Sequence, residues 1–106
     1  MSPTESKTIL LLFSTTIKEG CDKALLEKYF TGMVDLAKKI NGYLGIEVFG
    51  EGNRTIAVAK FSSLEAVDEF KNHPDHIAIM RTAFQFFSEY ELIVADQIRV
   101  TGHKIG

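Results

Sequence analysis

The chain has 106 residues, 45% hydrophobic and 25% charged, with a formal net charge of −2 and one cysteine. That length suits one domain with a small core, and the composition excludes a disordered chain. The charge gives no electrostatic case for nucleic acid or an anionic membrane, and Cys21 alone cannot form an internal disulfide, so a soluble cytoplasmic protein is expected.

Residues 1–6 are polar and contain Pro3; they are expected to form a flexible tail, as are residues 102–106. Lys7 to Thr15 reads as a first strand. Its run Ile9-Leu10-Leu11-Leu12-Phe13 is apolar at every position, so both faces of the strand are expected to be dry. The run is too short to cross a membrane. Gly20 marks a turn, and Asp22 to Ile40 reads as a helix with Asp22 near its N-cap. Leu26, Tyr29, Phe30, Met33, Leu36, Ala37 and Ile40 recur at helical spacing and form one apolar stripe. Asn41-Gly42 ends that helix.

Tyr43 to Phe49 reads as a second strand, Gly50-Glu51-Gly52-Asn53 as a hairpin turn, and Arg54 to Phe61 as a third strand. Ile56 and Val58 alternate with Ala57 and Ala59. The small residues leave room on one face for a partner's side chains or a ligand. Ser62 to Asn72 reads as a second helix, with Ser62 and Glu65 at the spacing of a capping box. Pro74 suits the first turn of a third helix. This helix is expected to run to about Ser88, with Ile77, Met80, Phe84 and Phe87 as its inner stripe and His76 on the same face. Tyr90 to Thr101 reads as a final strand, with Leu92, Val94, Ile98 and Val100 on one face and Ile93, Ala95, Gln97 and Arg99 on the other.

The order βαββααβ predicts a four-stranded antiparallel sheet with helices on one face, a ferredoxin-like α+β fold in a single domain over residues 1–106. Helices cover only one sheet face, whereas the first and last strands are apolar on both. A second copy packed sheet to sheet is therefore expected, giving a homodimer.

Ser63-Leu64-Glu65-Ala66, then Phe70, then His73-Pro74-Asp75-His76, then Tyr90-Glu91-Leu92 with Val94 and Arg99 together resemble the antibiotic biosynthesis monooxygenase family. Asn41-Gly42-Tyr43-Leu44-Gly45 resembles its helix-to-strand turn. The resemblance covers about Thr8 to Val100. It implies a dimeric α+β barrel with a ligand pocket inside each subunit, between helices and sheet. It implies several chemistries. Some members oxidise polycyclic phenols to quinones with O₂ and no cofactor, some bind and degrade haem, and some act on small signalling molecules. The haem-degrading branch relies on an Asn in the first strand, a Trp in the second helix and a His in the third. The matching places here hold Phe13, Phe70 and Met80, so neither haem nor another cofactor is expected. The quinone-forming branch uses tryptophan and polar groups around its substrate. This chain has no Trp, and Met80 and Phe84 stand where many relatives carry Gln and Arg, which implies a drier pocket.

His76 is the candidate catalytic residue: a neutral inward imidazole suits removal of a phenolic or enolic proton near neutral pH. The alternative is a structural histidine in a first helical turn. Phe61, Phe70, Met80, Phe84 and Met33 are candidates to line a substrate pocket, or to be plain core. Tyr29 and His73 are further binding candidates, and His73 equally suits capping of the third helix. No acidic or cysteine cluster completes a metal set around His73 and His76. The expected function is a cofactor-independent, monooxygenase-like protein that binds a small apolar or aromatic, quinol-type substrate. The alternatives are a non-catalytic small-molecule binding or stress-response module, and a small signal-molecule isomerase of the same fold.

Overall fold

In the computed structural model, which describes residues 7–102, the elements run β1 (Ile9–Ile17), α1 (Lys23–Lys39), β2 (Tyr43–Glu51), β3 (Arg54–Phe61), α2 (Leu64–Asn72), α3 (Pro74–Met80) and β4 (Phe87–Asp96). Of the expected tails, residues 1–6 and 103–106 lie outside the described residues. The strands form one antiparallel sheet in the order β2-β3-β1-β4, a ferredoxin-like fold.

β1 lies between β3 and β4. Ile9 and Leu11 are buried against the helices, opposite Phe61 and Ala59 of β3. Leu10 and Leu12 point the other way, beside Ala95 and Ile93 of β4. Among the described residues nothing covers that outer face: Phe49 is 53% exposed and Ile93 41%.

α1 starts where the Asp22 carboxylate accepts the N–H groups of Ala24 and Leu25, at 3.0 and 3.2 Å. Lys38 and Lys39 oppose the dipole at its end. Gly42 then turns the chain at a φ of +104°, and its carbonyl accepts the Ser62 N–H at 2.8 Å. Only glycine suits this site. A Cβ there would meet Ser62 Oγ at 2.7 Å and the Ala66 Cβ at 2.9 Å.

The core is split. One cluster joins Ile9, Leu11, Leu36, Phe61, Val67 and Phe70 between β1, β3, α1 and α2. The other joins Leu26, Tyr29, Ala83, Phe86 and Phe87, with Tyr29 against Phe86 and Phe87 at ring-centre distances of 5.3 and 5.4 Å. Met33 packs against both clusters.

Three of the boundaries that differ from the sequence expectation shape the site and its surroundings. The N-cap of α2 is Ser63, whose Oγ accepts the Ala66 N–H at 3.0 Å. Glu65 is then the second helical residue, out of register for a capping box with Ser62. α3 stops at Met80 instead of reaching Ser88. The Thr82 hydroxyl donates to the Ile79 carbonyl at 2.7 Å, and a short 3₁₀ turn at Ala83–Gln85 leads into β4. The expected inner stripe therefore breaks: Ile77 is 42% exposed and Phe84 67%. β4 likewise ends at Asp96, paired with Ile9, rather than at Thr101; the Gln97 N–H still donates to the Thr8 carbonyl at 3.0 Å, and Ile98 and Val100 are exposed.

Candidate functional site

The corner between α2 and α3 aims His76 inward. A residue before proline is pushed into extended backbone, and His73 has φ −62° and ψ 135°. It closes α2 and caps α3: the Asp75 N–H donates to His73 Nδ1 at 3.0 Å. Pro74 fills the first helical position, where a missing N–H costs nothing. Two residues further on, His76 turns into the core and is only 5% exposed. Its ring stands edge-on to Phe70, 4.5 Å between centres.

The Nδ1 of His76 is buried with no hydrogen-bond partner. Burial holds the imidazole pKa below its ordinary value of 6.5; the Lys71 backbone opposes that shift, and the charges of Lys71 and His73 add to it. At neutral pH His76 is an uncharged base.

His76 lines a cavity of about 50 Å³ at the seam between the two core clusters. Leu11, Phe13, Ala57, Ala59 and Leu92 of the sheet form its floor, and Ile46 and Val48 of β2 its side. Phe30, Met33, Val34 and Ala37 of α1 roof it, while Phe70, His76 and Met80 close its end. Apart from His76, every lining side chain is apolar. The hole exists because Ala57 and Ala59 are small where their neighbours are large. A cavity that admits benzene measures about 150 Å³. An aromatic ring therefore enters this one only if a side chain moves, and Met33 and Met80 are the unbranched, adaptable ones.

Of the residues singled out in the sequence, the cavity brings together Met33, Phe70, His76 and Met80. It does not include the other four. Phe61 is fully buried inside the first cluster. Tyr29 sits in the second cluster, behind Met80, and its O–H donates to the Met80 sulfur at 3.3 Å. Burial, with a smaller contribution from Tyr90, raises the Tyr29 pKa far above the phenol range, so the hydroxyl keeps its proton. His73 is occupied as a cap, with Asp75 Oδ2 3.9 Å from its Nδ1. Phe84 was expected on the inner stripe; the early end of α3 turns it to the surface instead. Sequence reasoning did not single out Phe13, Phe30, Val34, Ile46, Val48 or Leu92 as lining residues. The helical step Phe30-Met33-Val34-Ala37 and the alternation of Ile46 with Val48 were the available signals. Among the described residues, no group of three or more His, Cys, Asp or Glu could hold a metal, and no helix is long and apolar enough to cross a membrane.

No protein-family profile matches the sequence, and no curated protein sequence matches it. Solved structures do. A single-site variant of SnoaB, a cofactor-independent oxygenase from Streptomyces nogalater, superposes with a TM-score of 0.79 at 12% identity, over 91% of this chain and 98% of that one. A protein of Nitrosomonas europaea assigned provisionally to the antibiotic biosynthesis monooxygenases gives a TM-score of 0.75 at 7% identity, over 94% and 99% of the two chains. A dimeric ferredoxin-like protein of unknown function from Thermobifida fusca gives 0.69 at 12% identity, over 90% and 95%. At such identities the likeness is one of fold, and the fold is the one found in SnoaB and in the monooxygenase-like Nitrosomonas protein.

Proposed function

We propose that this chain is a cofactor-independent, monooxygenase-like protein that takes a small apolar or aromatic, quinol-type molecule into the cavity beneath α1. The observation that carries the reading is His76: the one polar side chain lining an apolar cavity, uncharged at neutral pH, with a buried ring nitrogen free to accept a proton. The positions that the haem-degrading branch uses, held here by Phe13, Phe70 and Met80, line the same cavity. That supports this space as the ligand site and suits a reaction without haem.

The chemistry balances without a cofactor. His76 removes a proton from an acidic aromatic methylene or its enol. The carbanion gives its electrons to O₂ and a carbon–oxygen bond forms. The imidazolium returns the proton to the peroxide, and loss of water leaves a carbonyl. One oxygen atom ends in the product and the other in water, with both methylene hydrogens; the substrate is the reductant. A dry cavity excludes water from the carbanion. Two copies packed through the uncovered sheet face, around Phe49 and Ile93, would form the working protein.

Oxygen uptake with hydroxyanthrones and simple quinols tests the reading. Uptake should accompany product formation one for one and fall about a hundredfold in His76→Ala. Equal uptake by His76→Ala and the parent refutes the role of His76. A second reading, a binding module without turnover, is favoured by the absence of any second polar group in the cavity to stabilise a peroxide. Ligand binding with no oxygen uptake would select it. Proton exchange into a hydroxyketone, again without oxygen uptake, would select a signal-molecule isomerase.

A further inference from the structure

The cavity beside His76 has a neighbour on the outside of the molecule. An open depression of about 420 Å³ lies where α3 ends and β4 begins, lined by Arg81, Phe84, Ser88, Glu89 and Tyr90, among others. Phe84 and Tyr90 are 67% and 49% exposed there, and their rings have surface that the core does not use. Only one residue belongs to both spaces, and it is Met80. Elsewhere the partition is made of interlocked rings: Phe13, inside the cavity, packs against Phe87 and Tyr90 of the depression at 5.6 Å each. Those rings hold one another in place. Met80 sits at the last residue of α3, is half-buried, and has an unbranched side chain with three rotatable bonds.

The geometry points to Met80 as the gate between the outer depression and the cavity, and to Tyr29 as its latch and as the group that selects an oxygen-bearing aromatic once the gate opens. In the closed state the Tyr29 hydroxyl spends its proton on the Met80 sulfur, a weak acceptor. When Met80 swings out, the cavity gains the volume of its side chain and the hydroxyl loses its partner. A buried hydroxyl left unpaired is unfavourable, so a molecule that brings a phenolic or carbonyl oxygen to it is preferred over an apolar one of the same shape. Because burial keeps Tyr29 protonated, it donates to that oxygen. The size problem and the polarity problem then have one solution: the movement that makes room for a ring also frees the Tyr29 hydroxyl. This inference rests on the cavity being the ligand site, and goes beyond that reading in naming the way in and the feature of the ligand that is read.

Met33 supplies the control. Met33→Ala and Met80→Ala remove the same atoms from the cavity wall, but only Met80 borders the depression. Binding and exchange of para-fluorophenol and para-fluorotoluene are followed by fluorine NMR on the parent and the two variants. Met80→Ala should speed exchange about tenfold or more relative to Met33→Ala at comparable affinity, because it lowers the barrier to passage and not merely the crowding inside. Tyr29→Phe keeps the ring and the fold. It should lower the preference for the phenol to the part that His76 supplies, and speed exchange of the toluene about fivefold or less, as loss of one weak hydrogen bond allows. Equal acceleration by the two methionine variants overturns the gate, as does failure of every variant to bind either probe. A phenol preference left unchanged by Tyr29→Phe overturns the latch. The gating pattern without oxygen uptake on any substrate supports the gate and sinks only the catalytic reading.

Discussion

Replacing His76 by phenylalanine should make the protein more stable while removing its only candidate base. The Nδ1 of His76 is buried without a partner, a loss of about 1–3 kcal/mol relative to an apolar ring in the same place. The edge-on pairing with Phe70 survives the change, since two phenyl rings adopt it equally well. The slightly larger ring finds space in the adjoining cavity of about 50 Å³. The balance is a gain of about 1 kcal/mol, seen as a rise of roughly 5 °C in the melting temperature of a domain this size. Urea denaturation at neutral pH measures it. A loss of about 1 kcal/mol or more would refute the reasoning, since it would mean that the nitrogen is satisfied in the folded state.

The same variant carries a second signature in its pH dependence. Burial lowers the folded-state pKa of His76 below 6.5, so between the folded value and 6.5 the unfolded chain binds more protons than the folded one. The stability contributed by neutral His76 is complete above pH 6.5 and is lost as the pH falls through the window beneath it, with a slope of up to about 1.4 kcal/mol per pH unit. The parent should weaken on acidification through that window and His76→Phe should lack that component. Denaturation curves that fall in parallel for both proteins would show that His76 does not titrate against the fold.

Three further outcomes follow from the geometry. Gly42→Ala should cost about 2–4 kcal/mol, combining the positive φ with clashes at Ser62 and Ala66, and a loss under about 1 kcal/mol in denaturant would contradict that turn. His73→Ala should cost about 1 kcal/mol through loss of the α3 cap, and His73→Asn should recover most of it; calorimetry that finds the two variants alike would show that capping is not the role of His73. Ile93→Lys sets a charge on the uncovered sheet face opposite Leu12, and should weaken a face-to-face dimer by about 3 kcal/mol or more. Sedimentation at micromolar concentration reads this directly, and a parent protein that is already monomeric would rule the dimer out.

The sheet was legible in the sequence because its signals are local and consistent. An apolar run with no alternation belongs to a strand built for cover on both faces; in β1 the helices lie over Ile9 and Leu11, while Leu10 and Leu12 belong to the outer face. The third strand was read to the residue, and Ala57 and Ala59 gave away the space above them. The region after Met80 was not legible. Phe84, Phe86 and Phe87 fit a helical stripe and a strand start equally well by composition, and the outcome was settled by pairing of Phe87 with Ile17 across the sheet, a contact between distant parts of the chain. Phe84 went to the surface for that reason. His76 was legible as inward because it stands four residues before Met80, on the same helix face. That its Nδ1 would lack a partner was not, since this depends on what surrounds the ring and not on the ring's own helix.

Two structural costs fall on this one site. A cavity of about 50 Å³ weakens a core by roughly 1 kcal/mol at the usual penalty of about 24 cal/mol per Å³. The unpaired nitrogen of His76 adds about 1–3 kcal/mol. Together they are a sizeable share of the 5–15 kcal/mol or so that holds a domain folded. Neither is forced by the fold: a larger residue at Ala59 would fill the hole, and a phenyl ring at His76 would remove the stranded nitrogen. Scattered imperfections are ordinary in proteins, but an empty space and a stranded base that share a wall are what a ligand with an acidic proton would satisfy at once. Binding such a ligand should therefore stabilise the fold by more than its apolar area alone gives. The excess should vanish in His76→Phe, which retains the apolar walls and has nothing left to satisfy.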